Sequence, residues 1–438
     1  MPMGEESKRN SPGKESRMHL QNARLRAARF AVRYLVRLWR KTSRLEQSNE
    51  NRMTPIHSLS TFASHLREFI HTSMPPESLD ADPAMMAEER FNELALCLFQ
   101  LQFDAVMPYQ RFCVARGHQP NQVGHWAQIP ALPTSAFKEH AVTSLPPSER
   151  TFVFHSSGTT AHQPSSHYHN GESLQMYEAS LLPWFRLHLL TRPRASSSSR
   201  WRFLSLTPPP ASAPHSSLVH MFDVVRREFG TCDSLFAGEV EPEGWRINLP
   251  MAFGTFREAM EKAEPLVLLG TAFSYVHLLD AMRERGLKVE LPRDSRVLET
   301  GGYKGRSRVL PRAELHDAIA QQLGINPTHI ISEYGMSELS SQAYDRSLRV
   351  TLPQTSERIE GARAFQFPPW ARVQLISPET GQVAGEGEPG LIRVFDLANV
   401  FSVLAIQTQD LGIRRGARFE LIGRAGFSEP RGCSLMAA

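Results

Sequence analysis

The sequence contains few cysteines and no long apolar run. Its 438 residues include four cysteines, which lie far apart and form no CxxC pair: Cys97, Cys113, Cys232 and Cys433. This spacing excludes a disulfide framework and argues against a thiolate zinc site. The most apolar stretch, residues 265–282, is interrupted by polar side chains and is too short to cross a bilayer. We therefore expect a globular cytoplasmic protein.

The positive net charge of +4 belongs to the N-terminal segment. Residues 1–52 contain 13 Lys and Arg but only 5 Asp and Glu, a net of +8, so the rest of the chain carries a net of −4. The globular part is therefore mildly acidic. The overall charge does not indicate that the protein binds nucleic acid, and we expect no nucleic-acid partner.

Residues 23–45 of this basic leader have the pattern of an amphipathic helix. Apolar residues recur at three- and four-residue steps, and arginines occupy much of the remainder. Such a helix can lie on an anionic membrane surface or act as a targeting segment. The alternative is an unselected extension upstream of a native start at Met53. Any membrane contact is expected through this leader alone.

The remainder of the chain is predicted to have an α/β fold. Residues 54–130 are mainly helical in pattern, and apolar strands then alternate with helices as far as about residue 370. The strands are expected at 151–155, 202–207, 265–270, 295–300 and 329–334, and the helices at 172–190, 252–263, 273–285 and 313–323. This alternation predicts parallel, helix-covered sheets. After residue 370, ARVQLIS and GLIRVFDL indicate an antiparallel hairpin.

We accordingly divide the chain into two predicted regions. Residues 1–53 form the basic leader, and residues 54–438 form one domain. Within that domain, 54–130 is a helical lead-in, 131–370 an α/β core, and 371–438 a β-rich C-terminal part and tail.

The segment FHSSGTT, residues 154–160, is the strongest local signal for chemistry. A predicted strand runs directly into a loop of small hydroxyl residues around Gly158. If that strand belongs to a parallel sheet, its carboxyl end is where ligands bind, and backbone N–H and hydroxyl groups there suit phosphate oxygens. No GxxxxGK sequence is present, so this is not a Walker loop. The alternative is a polar turn that leads into a helix.

Two later segments offer further candidate ligand residues. In ISEYGMSELSS, which follows a strand, Tyr334 could stack on a flat base and Glu338 could bind a hard cation. In IQTQDLG, Asp410 is expected to follow a strand at 400–406, where a carboxylate can accept two hydrogen bonds from a ribose diol. The alternatives are a tyrosine corner with a solvated glutamate, and a turn aspartate.

The order of these three segments resembles that of the adenylate-forming superfamily. Further segments resemble its LuxE-type branch, the acyl-protein synthetases: LSLTPPP with SSLVHMF, LLGTAF, GGYKG, PPW, FDLAN and the terminal IRR…GR…EPRGCSL. The resemblance covers about residues 55–438. It implies the fold of the N-terminal region of an adenylate-forming enzyme. Because 28 residues follow Asp410, we expect the full C-terminal lid domain, with its catalytic lysine, to be absent.

The resemblance also implies roles for individual residues. The phosphates of ATP would be held by the loop residues Ser156, Ser157, Gly158, Thr159 and Thr160. Adenine would contact a second group of residues, Gly301, Gly302, Tyr303, Tyr334 and Gly335. Asp410 would bind the ribose hydroxyls, Arg424 the ribose or a phosphate, and Glu338 would help to hold Mg²⁺. Cys433 matches the cysteine that accepts the acyl group as a thioester in this family.

Three further residues are candidates with open alternatives. Lys304 could neutralise phosphate or carboxylate charge, or could be a surface lysine. His155 and His167 flank the hydroxyl-rich loop and could touch the carboxylate or the phosphates, or could be structural hydrogen-bonding groups. For Cys433, named above, the alternative is an inert residue in a frayed tail.

The expected function is ATP-dependent activation of a carboxylic acid, in this family a fatty acid, followed by transfer to a protein cysteine. ATP and Mg²⁺ are the expected cofactors. An acyl-accepting reductase or carrier protein is a possible partner. The alternatives are a ligase that passes the acyl group to a small molecule or carrier protein, and a non-catalytic nucleotide-binding subunit.

Overall fold

A computed structural model of the protein describes residues 56–74, 86–156, 164–190, 200–241, 244–301, 310–345 and 363–424. Several predicted features lie outside these residues. They are the basic leader, Ser157, Gly158, Thr159, Thr160, Gly302, Tyr303, Lys304 and Cys433. No helix in the described ranges has both the length and the apolar character that a membrane span requires.

The described residues contain helices, two larger sheets and two two-stranded hairpins. The helices are α1 (Leu59–Ser73), α2 (Glu88–Ala105), α3 (Met107–Ala115), α4 (Ala136–Glu139), α5 (Gly171–Leu189), α6 (Ser217–Phe229), α7 (Leu249–Lys262), α8 (Ala272–Glu284) and α9 (Arg312–Leu323). The strands are β1 (Leu132–Pro133), β2 (Phe152–His155), β3 (Ser166–His169), β4 (Arg202–Ser205), β5 (Leu235–Phe236), β6 (Gly238–Glu241), β7 (Gly244–Ile247), β8 (Leu266–Thr271), β9 (Arg296–Thr300), β10 (Ile330–Tyr334), β11 (Ala343–Tyr344), β12 (Ala371–Ile376), β13 (Pro389–Asp396), β14 (Ala405–Arg415) and β15 (Arg418–Arg424). The two hairpins are β2-β3 and β6-β7.

A six-stranded sheet with the order β11-β10-β9-β8-β4-β5 forms the centre of the fold. Strands β10, β9, β8, β4 and β5 run parallel, and β11 is antiparallel at one edge. The prediction of a parallel, helix-covered sheet is therefore confirmed. Its parallel strands all end at the same edge, which is where ligands bind in such sheets.

Helices cover both faces of this sheet because successive side chains of a strand point to opposite sides. Leu268, Val297 and Ile330 pack in one core with apolar residues of α7, α8 and α9. Their neighbours Leu269, Leu298 and Ile331 pack in a second core with residues of α5 and α6. Burial on both faces explains why these strands are continuous apolar runs in the sequence.

Side-chain caps set where several of these helices begin. Asn170, Ser216 and Asn248 each accept a hydrogen bond from a backbone N–H in the first turn of α5, α6 and α7. Thr271, the last residue of β8, does the same for α8, so that strand passes directly into its helix. Such caps contribute about 1 kcal/mol each.

The C-terminal part forms a separate, mainly antiparallel sheet in which β14 pairs with β13, β15 and β1. The predicted hairpin after residue 370 is confirmed, because β12 and β13 pair antiparallel. The expected strand at 400–406 is wrong. Strand β14 begins at Ala405 and continues to Arg415, which places Asp410 in the middle of a strand and not beyond its end.

The hydroxyl-rich loop also has a different setting from the predicted one. Strand β2 does not join the parallel sheet but pairs antiparallel with β3 in a two-stranded hairpin. The predicted loop residues thus connect two antiparallel strands and do not follow a parallel strand.

The helical lead-in contacts the C-terminal sheet through one buried glutamine. In α2, the Gln102 side chain donates hydrogen bonds to the carbonyl oxygens of Asn399 and Val400 at 2.8 and 2.9 Å. Its oxygen accepts a hydrogen bond from the backbone N–H of Leu404 at 2.8 Å. These bonds fix residues 399–404, a segment without regular strand pairing that lies next to the candidate site.

Candidate active site

The carboxyl ends of β9 and β10 carry Gly301 and Gly335, two residues predicted to contact the nucleotide. Gly301 is exposed and follows directly after β9, with φ of +69°. Tyr334 is the last residue of β10, and Gly335 follows it. Because β9 and β10 are neighbours, these residues lie at the same corner of the sheet.

Tyr334 links this corner to the C-terminal sheet. Its ring lies among three phenylalanines, with centroid distances of 5.4 to 6.2 Å to Phe365, Phe367 and Phe419. Its hydroxyl donates a hydrogen bond to Oδ2 of Asp410 at 3.0 Å. Burial raises the pKa of the Tyr334 hydroxyl well above its usual value, so this group stays a neutral donor.

Asp410 is also bound by an exposed arginine. The Nε atom of Arg424 lies 3.2 Å from Oδ1 of Asp410, and the side chains are 72% and 14% exposed, respectively. An exposed ion pair of this kind contributes little to stability, so Arg424 can exchange Asp410 for a ligand at small cost. The structure therefore brings together Tyr334, Asp410 and Arg424, three residues predicted from separate segments.

Glu338 is buried and bonded to the base of the hydroxyl-rich loop. Its Oε1 accepts a hydrogen bond from the hydroxyl of Ser165 at 2.6 Å, and its Oε2 accepts one from Ser337 at 3.0 Å. The backbone N–H of Ser165 in turn donates to Oγ of Ser156 at 3.0 Å. The alternative of a solvated glutamate is wrong, because Glu338 is 5% exposed. Ser165, which the sequence did not single out, joins Glu338 to the loop.

The two flanking histidines make hydrogen bonds to backbone carbonyls. Nδ1 of His155 lies 3.2 Å from the carbonyl oxygen of Ser165, and its ring lies 5.1 Å from that of His215. Nδ1 of His167 lies 2.7 Å from the carbonyl oxygen of Ser337. Burial lowers the pKa of His167 to about 4, so it is neutral near pH 7. Both histidines therefore brace the hairpin and the Glu338 segment.

The FDLAN segment holds the Glu338 segment in place. Asp396 is fully buried and accepts hydrogen bonds from the N–H groups of Ser340 and Ser341 at 3.0 and 2.8 Å. It also accepts the hydroxyl of Ser341 at 2.7 Å and the N–H of Ala398 at 3.0 Å. The amide of Asn399 donates to the carbonyl oxygen of Glu338 at 3.0 Å. FDLAN was recognisable in the sequence as a family motif, but the roles of Asp396 and Asn399 within it become clear only from these hydrogen bonds.

The donor set around Glu338 fits a magnesium ion held together with phosphates. Mg²⁺ prefers oxygen ligands and is commonly bound through one or two carboxylates together with phosphate oxygens. Within the described ranges, no cluster of three or more His, Cys, Asp or Glu side chains could hold a metal by itself. A single buried carboxylate bonded to the base of the hydroxyl-rich loop fits that shared mode of binding.

Comparison with known proteins identifies the family and the fold. A family model described as acyl-protein synthetase, LuxE, matches residues 211–438. A long-chain-fatty-acid–luciferin-component ligase from Vibrio harveyi is 22% identical over 343 residues, which cover 75% of this chain and 82% of the relative.

Solved structures of 2-hydroxyisobutyryl-CoA ligase share the fold. The open conformation, in complex with 2-HIB-AMP and CoA, matches with a TM-score of 0.57 at 13% identity, over 86% of this chain and 80% of the other. The thioesterification state matches with a TM-score of 0.58 at 14% identity, over 86% and 73% of the two chains. Since the family model spans more than half of the sequence, the chain belongs to the LuxE family of acyl-protein synthetases, ligases with the fold of adenylate-forming enzymes.

Proposed function

We propose that the protein uses ATP to activate a fatty acid as an acyl-adenylate and then transfers the acyl group to the thiol of Cys433. The observation that carries this proposal is the convergence of Tyr334, Asp410 and Arg424 at one edge of the parallel sheet. Family membership supports the same reaction class. The name of the Vibrio harveyi relative, a long-chain-fatty-acid ligase, supports a fatty acid as the substrate.

In the first step, the substrate carboxylate attacks the α-phosphorus of ATP and pyrophosphate leaves. Tyr334 would contact the adenine, Asp410 would accept hydrogen bonds from the ribose hydroxyls, and Arg424 would bind ribose or phosphate. Residues 156–160 would supply N–H and hydroxyl donors to the phosphates. Because the barrier is dominated by phosphate charge, positioned donors contribute most of the catalysis. A magnesium ion beside Glu338 would supply further positive charge to the phosphate oxygens.

In the second step, the thiolate of Cys433 attacks the acyl carbon and AMP leaves, which forms a thioester. Arg431 lies two residues before this cysteine, and a nearby cation favours the thiolate form. In the first step, Lys304 would neutralise the charge of the carboxylate or the phosphates, and His155 would contact the same groups in addition to its contact with Ser165. An acyl-accepting reductase or carrier protein would then take the acyl group from the thioester.

The decisive experiment combines a panel of carboxylic acids with one cysteine substitution. ATP–pyrophosphate exchange should depend on a fatty acid and on Mg²⁺. With a labelled acid, the protein should acquire a hydroxylamine-labile label at close to one per chain. Cys433→Ser should lose this thioester label and retain the exchange, because adenylation precedes the thiol step. Cys232→Ser is the matched control, since Cys232 is exposed but lies outside the site, and it should label normally.

Three outcomes would contradict the proposal or parts of it. If no acid in the panel supports ATP–pyrophosphate exchange, the protein does not activate acids and the whole proposal is contradicted. A hydroxylamine-labile label that persists in Cys433→Ser would contradict the assigned thiol. If the Cys433→Ala variant still forms product normally, the acyl group passes directly to another acceptor.

A further inference from the structure

The layer of side chains at the carboxyl edge of the six-stranded sheet is polar on the face covered by α5 and α6. The preceding layer on that face is apolar and consists of Leu269, Leu298 and Ile331. Two residues further along, neighbouring strands present four polar side chains in register: Thr271, Thr300, Glu333 and Tyr344. A change from apolar to polar at this edge places hydrogen-bonding groups where a parallel sheet binds ligands.

Glu333 is the ionisable member of this row. Its side chain is 7% exposed, and its Oε2 accepts a hydrogen bond from the hydroxyl of Thr300. Its Oε1 packs so closely against Gly335 that a methyl group there would overlap it. Among the described residues, no cation forms an ion pair with Glu333. A buried carboxyl without a cation favours its neutral, protonated form.

Three ionisable groups on this face, Tyr177, Tyr344 and His220, supply no compensating charge. Tyr177 of α5 and Tyr344 of β11 lie on its side of the sheet, and burial raises the pKa of both hydroxyls, so they stay neutral. His220 of α6, whose ring lies 5.6 Å from Tyr177, has its pKa lowered to about 4 by burial. Glu299 of β9 projects to the opposite face, where it accepts a hydrogen bond from Ser332.

These surroundings keep Glu333 protonated up to neutral pH. Burial raises its pKa to about 7, the negative charge of Glu299 adds to that rise, and the Thr300 hydrogen bond opposes it. The row also contains a spare donor. The Tyr344 hydroxyl is buried and has no hydrogen-bond partner within the described part of the chain.

We propose that Glu333, as a neutral acid, donates its O–H to the carboxylate of the acid substrate and positions that carboxylate beside the nucleotide. The proposal rests on the proposed function. Glu333 directly precedes Tyr334 at the carboxyl end of β10, so it lies at the end of the sheet where the nucleotide is expected, with its side chain on the face opposite to that of Tyr334. An ionised glutamate there would repel the substrate carboxylate, whereas the protonated form can share a hydrogen bond with it. Tyr344, which is paired with Glu333 across the sheet and has a hydroxyl without a partner among the described residues, would donate a second one.

The test is the pH dependence of the KM for the acid, measured by pyrophosphate exchange at saturating ATP between pH 6 and 8.5. In the wild type, this KM should rise above pH 7 and approach a tenfold rise per pH unit, because only protonated Glu333 binds the carboxylate. Glu333→Gln keeps an N–H donor at every pH, so that rise should disappear. Glu333→Leu should raise the KM about tenfold or more already at pH 6.

Glu299→Gln is the matched control, because it alters a buried glutamate of the neighbouring strand on the opposite face. It should retain the rise in KM, which should begin at a somewhat lower pH because the charge that helps to raise the pKa of Glu333 has been removed. Urea unfolding of each variant separates loss of binding from loss of folding. A Glu333→Gln variant that keeps the wild-type rise, or a Glu333→Leu variant with an unchanged KM, would overturn the inference and leave the proposed function standing. If the wild-type protein shows no pyrophosphate exchange with any acid, both this inference and the proposed function are overturned.

Discussion

Asp396→Ala is expected to lower the free energy of unfolding by about 3 to 5 kcal/mol, because it leaves buried donors without an acceptor. Asp396 is fully buried and accepts four hydrogen bonds, three of them from backbone N–H groups. Burial raises the pKa of Asp396 to about 6, and these donors oppose that rise. Urea unfolding at pH 7.5, where the carboxylate is ionised, measures the change.

The substitution should also impair adenylation. Asp396 bonds to Ser340 and Ser341, which follow Glu338 in the chain, so its loss releases the segment that holds the Glu338 carboxylate. Ser341→Ala is the graded control, since it removes one of the four donors and should cost about 1 kcal/mol. A cost below 1 kcal/mol for Asp396→Ala would show that this network does not hold the segment.

The central sheet could be predicted from the sequence because its strands are buried on both faces. PLVLLG and HIISEY are apolar runs that end at polar or glycine residues, and helices of ordinary length separate them. Apolar runs of this length, separated by helices, are typical of buried parallel strands and fit few other structures. The extent of strand β14 was harder to predict. Its TQD segment predicts a strand end, yet Leu411 and Ile413 continue the strand into the pairing with β13.

Partner choice and side-chain contacts could not be predicted in this way. TFVFH indicates a strand, but its pairing with β3 depends on tertiary structure and not on its own five residues. The same applies to the candidate site. Tyr334, Glu338 and Asp410 were recognised by motif, whereas Ser165 has no motif and emerges only from its 2.6 Å contact with Glu338. Glu333 is not predicted from the sequence, because a glutamate within an apolar strand shows neither its burial nor the lack of an ion-pair partner among the described residues.

Asp410→Asn is expected to raise the KM for ATP about 10- to 100-fold, the effect of weakening charge-assisted hydrogen bonds to the ribose. Asparagine keeps the size of the side chain and an oxygen that can accept the Tyr334 hydroxyl, so the local packing should survive. The specific test uses 2′-deoxy-ATP and 3′-deoxy-ATP in the pyrophosphate-exchange assay. The wild type should discriminate against both analogues, and Asp410→Asn should lose most of that discrimination, since each analogue lacks a hydroxyl that the variant no longer binds well.

Tyr334→Phe is the control that separates the ribose contact from the internal hydrogen bond. It removes the hydroxyl that lies 3.0 Å from Asp410 and keeps both the ring and the carboxylate. The KM for ATP should change less than in Asp410→Asn, and the discrimination against the deoxynucleotides should persist. If Asp410→Asn discriminates against the deoxynucleotides as strongly as the wild type, Asp410 does not bind the ribose. Its role would then be to hold Tyr334 and Arg424 in place, and the two substitutions should have equal effects.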